Sequence, residues 1–328
     1  MSANNQSSAP SVIASVVVAT YRRPEFVREC LTRLQAQSLR PQRIIVVDAS
    51  PETDTRDVVR GFANVDYRRN ERGAGTLSTS RAIGIKDLTD DVVAFIDDDA
   101  YAEPQWLEEL LKPYADPSVG AVGGRALNGR EGEAAEGIGE IGLLLPDGRL
   151  TGNFAADPGR DLDVDHMLGA NMSVRLNAIR ALGGIRELYP GTCLREDADI
   201  ALRIGKSGLR VVYAPKAVVH HVAGDYAKGK RFDSRYHYYG ARNHVVLLAT
   251  TLGWRDIHLR RYVLTVGRQT LREVRGGVRA LRDRERAGIG AKLRGLAGGL
   301  RRAAILVVGT IAGGVAAVAA RPTIVRRG

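Results

Sequence analysis

Three short apolar runs rich in β-branched residues, each stopping on a polar or acidic residue, constrain this 328-residue chain more than anything else in it. SVIASVVVA (Ser11–Ala19) closes on Thr20-Tyr21, RIIVV (Arg43–Val47) on Asp48, and DVVAFI (Asp91–Ile96) on Asp97-Asp98-Asp99. Continuous apolar runs of this length read as strands buried on both faces. Between them lie stretches with helical spacing. Pro24–Gln37 carries Phe26, Val27, Cys30, Leu31 and Leu34 after a proline suited to a first turn, and Thr55–Phe62 and Ser78–Leu88 read as further helices. A brief strand is expected near Val65–Arg68. Strands alternating with helices imply an α/β fold with a mostly parallel sheet flanked by helices.

In such sheets the ligand site gathers outside the carboxyl ends of the strands. That is where the polar endings of all three runs fall. Three adjacent carboxylates repel one another unless a cation sits among them, and a divalent ion shared with phosphate oxygens is the usual physical answer. The alternative for Asp97–Asp99 alone is a solvated turn, and for Asp48 alone a loop cap. The first strand is followed by TYRRPE, with neither GxGxxG nor GxxxxGK[ST], which disfavours a dinucleotide cofactor and excludes a P-loop ATPase. The same lack of glycine weighs against a nucleotidyltransferase, the nearest alternative on a related sheet.

Residues 125–165 are rich in Gly, Asp and Glu and read as a loop-dominated insertion, with a hairpin around Pro146-Asp147-Gly148. Regular structure resumes at Met167–Val174 and in a helix over Asn177–Leu182. Glu196-Asp197-Ala198-Asp199 opens another helix, which runs through Gly205. Acids there also complement a helix N-terminus, so taken alone they settle nothing. Strand-like Val211–Tyr213 and Ala217–Val219, separated by Pro215, lead to His220-His221, whose side chains must point to opposite faces.

Taken in order, SVVVATYRRPEFVRECL, IIVVDAS, STSRAIGI, VVAFIDDDA, GANMSVRLNAIRALGGI, REDADIALRI and VVYAPKAVVHHVAG resemble the family-2 glycosyltransferases of the GT-A fold over about residues 12–245. The resemblance implies a nucleotide-sugar pocket formed by Thr20, Tyr21, Arg23 and Asp48, with Arg81 facing the nucleotide. IDDDA corresponds to the family's DXD element, with Asp97 and Asp98 against ribose and diphosphate and Asp99 as a metal ligand. Counting from Pro215 puts His221, rather than His220, on the metal-binding histidine. Glu196-Asp197 corresponds to the ED motif at the acceptor side, with Asp197 as base and Asp199 nearby, and Arg242-Asn243 to a helix following the catalytic segment. Ala49 departs from the pattern, which often has an acid or Asn there. The implied cofactor is Mn²⁺ or Mg²⁺, the partners a nucleoside-diphosphate sugar and a hydroxyl acceptor, and the reaction an inverting transfer.

Charge divides the chain. Up to Asp225 the balance is −6; from Tyr226 onward it is +17, with 22 basic and 5 acidic residues. Leu271, Val274, Val278 and Leu281 recur on one helical face flanked by Arg272, Arg275, Arg279 and Arg282, a pattern suited to an anionic membrane surface. Ala303–Ala320 is uncharged for 18 residues, marginal for a bilayer core, and is read as peripheral attachment. No zinc-finger spacing or aromatic-rich strand motif accompanies the arginines, and aromatics are 5% of the chain, so nucleic acid is not the expected partner. The two cysteines, Cys30 and Cys193, fit a reducing compartment, and MSANNQSSAP has no signal-peptide pattern, so the expected location is cytosolic, at the inner face of a membrane. The expected organisation is a disordered leader (1–10), a transferase domain (11–245, its nucleotide half 11–124 and acceptor half 125–245) and a basic helical extension (246–328).

Overall fold

The computed structural model describes residues 12–222, 233–282 and 288–320; the leader expected over residues 1–10 lies outside them. The chain forms two compact units, each assembled from separate segments. The first comprises Met1–Leu143, Gly152–Ile185 and Ile200–Gly224, the second Leu144–Thr151, Arg186–Asp199 and Asp225–Gly328.

The first unit is built on one mixed sheet. β1 (Ala14–Thr20), β2 (Ile44–Asp48), β3 (Val65–Arg69) and β4 (Val92–Asp97) run parallel in the order β3-β2-β1-β4. Beyond β4 the sheet continues through β8 (Asn171–Arg175), β6 (Val119–Leu127), β9 (Arg210–His221) and β5 (Ala100–Ala102), while the two-residue β7 (Leu162–Asp163) also pairs with β9. β8 lies antiparallel to both β4 and β6, and β5 antiparallel to β9, so the sheet turns mixed on this side.

Alternation along each strand feeds two cores. Val16, Val18, Val46 and Ile96 face one way, against Val27, Leu31 and Leu34 of α1 (Pro24–Gln35) and Trp106 and Leu110 of α4 (Trp106–Leu111). Val17, Val47 and Phe95 face the other way, towards Ile179 of α5 (Leu176–Ala181) and Ile204. This burial on both faces is why the strands read as unbroken apolar runs. Two shorter helices complete the parallel half, α2 (Asp54–Val59) and α3 (Leu77–Gly84).

β9 is one strand where the sequence suggests two. Its pairing with β6 jumps from Gly124↔Ala214 to Arg125↔Val218, so residues 215–217 bulge out of the ladder. Pro215, lacking an N–H, is tolerated in such a bulge. Gly124 makes room for it: a Cβ there would collide with Ala217 O and lie 2.8 Å from Asn171 Cγ.

The second unit contains the loop leading into α6 (Glu196–Lys206), the helix's first turn, and three later helices: α7 (Ser234–Leu247), α8 (Ile257–Arg282) and α9 (Ile289–Ala319). The hairpin expected at Pro146–Gly148 is present as a Leu144↔Leu150 bridge. Cys30 lies in the core of the first unit, and Cys193 is buried in the second.

Candidate functional site

In the first unit, β1, β2 and β4 end side by side, with Thr20 paired to Asp48 and Ala19 to Asp97. Sheet register therefore delivers the three polar endings to one edge. Asp98 is buried and accepts from Thr20 Oγ1 at 2.7 Å and from Arg23 Nη1 at 3.0 Å. The same Arg23 nitrogen reaches Asp99 Oδ2 at 3.0 Å, so one guanidinium bridges two of the three carboxylates. Burial pushes the Asp98 carboxyl up to about 7, against the opposing pull of Arg23.

Asp97 faces another cation. Arg81, buried on α3, donates to Asp97 Oδ1 at 3.2 Å and to Gly169 O at 2.7 Å, with its guanidinium over the Phe95 ring. It thus meets the cluster from beneath and orients Asp97.

β5 follows the acidic triplet and pairs antiparallel with the end of β9, setting Ala100 opposite His221. His221 Nε2 lies 3.3 Å from Asp99 Oδ1. Its neighbour His220 is turned away and meets Glu103 Oε1 at 3.1 Å. Ligand atoms of Asp97, Asp99 and His221 all lie within 4.8 Å of one another, which makes a possible divalent-metal site. The carboxylate oxygens suit Mn²⁺ and Mg²⁺ alike, and the imidazole nitrogen completes a ligand set that either ion can use.

Asp48 is fully buried and engaged by its own loop. It accepts from Ser50 N at 2.8 Å, from Ser50 Oγ and from Tyr67 OH at 3.0 Å. Ser50 Oγ in turn accepts from Arg22 N at 2.7 Å, tying this loop to the turn after β1, where Arg22 is held at a φ of 57°. Tyr21, partly buried in that turn, lies under the Arg22 guanidinium. Asp48 thus sets the shape of both loops; Ser50 and Tyr67, which do much of the holding, escape the sequence reading. The D-x-S spacing is the one local signal for Ser50.

The second unit holds the other acidic cluster. Cys193 and Arg195, neither a glycine, adopt φ values of 56° and 82° immediately before Glu196 and Asp197. Left-handed backbone of this kind costs on the order of 1 kcal/mol or more per residue and persists where surrounding contacts enforce it. Here α7 supplies them. Arg242 Nη1 donates to Leu188 O at 2.9 Å, Asn243 Nδ2 to Leu194 O at 3.1 Å, and His244 Nδ1 accepts from Arg195 Nε at 3.0 Å. His244 Nε2 lies 2.7 Å from Gly148 O in the hairpin, and its ring rests on Tyr262 of α8, centroids 4.3 Å apart. Arg195 and His244 are not among the residues that the sequence picks out.

Asp197 is partly exposed at the start of α6, its Oδ1 accepting from Ala198 N at 2.8 Å. Glu196 is buried beside it. Asp199 points inward, accepting from Arg186, from Tyr189 OH at 3.0 Å and from Thr251 Oγ1 at 3.0 Å. Burial and the Asp199 carboxylate hold the Tyr189 phenol protonated, well above its ordinary range. Asp199 is thus engaged on three sides by the loop and by the helical turn Leu248–Leu252 that follows α7, whereas Asp197 keeps solvent access.

Residues 15–175 match the family model for glycosyl transferase family 2. The glucosyl-dolichyl phosphate glucuronosyltransferase of Haloferax volcanii is 31% identical over 229 residues, 65% of this chain and 70% of the relative. The pre-mycofactocin glycosyltransferase of Mycobacterium tuberculosis is 31% identical over 187 residues, 56% of this chain; the match spans only 38% of that longer relative. Among solved structures, a mannosyltransferase from Pyrobaculum calidifontis in complex with GDP-Man and Mn²⁺ superimposes with a TM-score of 0.59 at 18% identity, covering 94% of this chain and 87% of the other. GalNAc-T7 with UDP, GalNAc and Mn²⁺ gives 0.60 at 15% identity, covering 80% of this chain and 51% of the other. With its GT-A-like mixed sheet, its matched segments and these relatives, the chain belongs to glycosyltransferase family 2.

Proposed function

We propose that this enzyme transfers a sugar, with inversion and with help from a divalent ion, from a nucleoside diphosphate to a hydroxyl acceptor. The observation that carries the reading is the convergence of Asp97, Asp99 and His221 at the strand ends, beside the Arg23 guanidinium. In this reading those three residues hold Mn²⁺ or Mg²⁺, and the bound ion supplies charge neutralisation for the departing diphosphate. The GDP-Man and Mn²⁺ described for the mannosyltransferase, and the UDP, GalNAc and Mn²⁺ described for GalNAc-T7, support the same assignment. Thr20, Tyr21 and Asp48, with the loops that Asp48 ties together, form the base and ribose pocket. Arg81 acts by fixing Asp97, and Asp98 by keeping Thr20 and Arg23 in place. Asp197 takes the acceptor's proton as its oxygen attacks the anomeric carbon; the bond from that carbon to the diphosphate oxygen breaks, and its electron pair leaves with the diphosphate. One displacement of this kind inverts the anomeric centre. Glu196 and the inward-tied Asp199 hold the turn that presents Asp197.

The names of the relatives support an acceptor in cell-envelope glycan, polysaccharide or glycolipid synthesis, and the basic helices support a cytosol-facing position on a membrane. A panel of nucleoside-diphosphate sugars with Mn²⁺ or Mg²⁺ tests the donor assignment by thermal unfolding. One donor should raise the melting temperature only with metal, by about 2.7 kcal/mol of stabilisation at a hundredfold excess over its Kd. The shift should vanish with EDTA and in Asp99→Asn; no metal-dependent shift with any donor would overturn the reading. Asp197→Asn should abolish transfer while donor binding stays within a few-fold. Turnover retained in that variant would remove Asp197 as base.

A further inference from the structure

The amphipathic pattern in the last third leaves open how α9 meets a membrane. By length and composition it is the one helix among the described residues able to cross a bilayer, yet its packing argues for a different seat. One face is fastened to the protein. Gly299 meets Gly277 of α8 so closely that a Cβ would lie 2.8 Å from Gly277 Cα. Further along, a Cβ on Gly309 would lie 2.8 Å from Tyr238 O, and one on Gly313 would lie 2.8 Å from Val245 Cβ and collide with Arg242 O, all on α7. The half of α9 apolar enough to span is therefore pinned along α7, the helix whose Arg242, Asn243 and His244 brace the loop before α6. Carrying that polar helix into hydrocarbon would be costly.

The other face is bare. Leu293, Leu300, Val308, Ile311, Val315 and Val318 are 47–74% exposed. At 100° per residue they fall within about 80° of arc, and Leu293 to Val318 runs about 38 Å at 1.5 Å per residue, longer than a ~30 Å hydrocarbon core. Arg294 and Arg301 lie next to this stripe on the wheel, and Arg301 and Arg302 are anchored to Ser234 at 2.6 Å and Glu273 at 2.7 Å. α8 and α9 together carry eleven Arg and Lys and a single acid, Glu273.

We infer that α9 lies in the plane of an anionic lipid surface, its exposed stripe sunk to the headgroup–acyl boundary with Arg294 and Arg301 at its border on the headgroups, and that it does not cross the bilayer. An apolar stripe with a basic border fits this occupant, since arginines near such a surface are drawn to its anionic headgroups. The inference rests on the membrane contact proposed above and is independent of the sugar chemistry.

Single tryptophans placed along the stripe, Leu293→Trp, Leu300→Trp, Ile311→Trp and Val318→Trp in the full chain, read depth directly. The vesicles would be phosphatidylcholine with phosphatidylglycerol, carrying bromine at different acyl positions, and the unsubstituted protein would correct for Trp106 and Trp254. All four positions should report one shallow depth, and binding should fall at least about tenfold in vesicles without phosphatidylglycerol. A graded series, deepest at Ile311→Trp, would show a span and overturn the inference. So would absence of quenching, whether sedimentation then finds the stripe covered by a second copy or the arginines retain duplex DNA. Metal-dependent donor stabilisation, measured on the same samples, keeps a failure of membrane seating distinct from a failure of the enzyme assignment.

Discussion

His244 shows what one ring can fix. Arg195 Nε only donates, so Nδ1 of His244 must accept, and the proton sits on Nε2, facing Gly148 O. The neutral imidazole thereby joins the hairpin to a strained loop that presents Asp197. We expect His244→Gln, which keeps a donor for Gly148 but loses the acceptor for Arg195, to lower kcat about tenfold with donor KM little changed, the effect of losing one buried hydrogen bond to a charged group. His244→Asn, which keeps the acceptor, should retain most of the rate; equal losses in steady-state assays of the two variants would assign His244 to packing alone. The acidic residues were legible in the sequence because strand ends announce themselves: Asp48, Asp97, Asp98 and Asp99 each follow an apolar run. Arg195, His244, Tyr67 and Ser50 were not, because their roles depend on partners supplied by other elements or on a turn geometry that spacing alone does not specify. Arg81 was legible as a candidate, but its burial under Asp97 was not.

At the scale of elements, the alternation of apolar runs and helical stretches was enough to place the parallel half of the sheet. It could not give the strand order beyond β4, where β8, β6, β9 and β5 assemble through pairings between distant segments. The break read at Pro215 is a bulge within β9, because Gly124 on the neighbouring strand leaves room for three unpaired residues. Gly309-x-x-x-Gly313, too short in sequence to interpret, is the seat of α7 against α9. Gly313→Leu should destabilise the protein by about 1–3 kcal/mol through overpacking. Gly314→Leu, one residue along and facing open space, should stay within about 0.5 kcal/mol of the parent or gain slightly from helix propensity. Thermal unfolding of the two variants side by side separates packing from propensity.

Over the whole molecule, the acidic first two thirds and the basic last third are proposed to meet different ligands, a nucleotide sugar and an anionic lipid surface. Nothing in linear order announces that segments 144–151 and 186–199 join the C-terminal helices in one compact unit. Hydrogen exchange should separate the two. Donor with Mn²⁺ should slow amides around Thr20–Arg23 and Asp97–Asp99, whereas anionic vesicles should slow α8 and α9 and leave the strand ends unchanged. Protection of both regions by either ligand alone would mean that the sites are coupled. The two thiols bear on how such questions can be put. Cys30 is buried, and burial among carboxylates raises its pKa well above the ordinary range; Cys193 is enclosed as well. A maleimide should therefore pass both by, and the native chain is already a near-silent background for a spin label or fluorophore at any engineered surface cysteine, with no need to remove either thiol first.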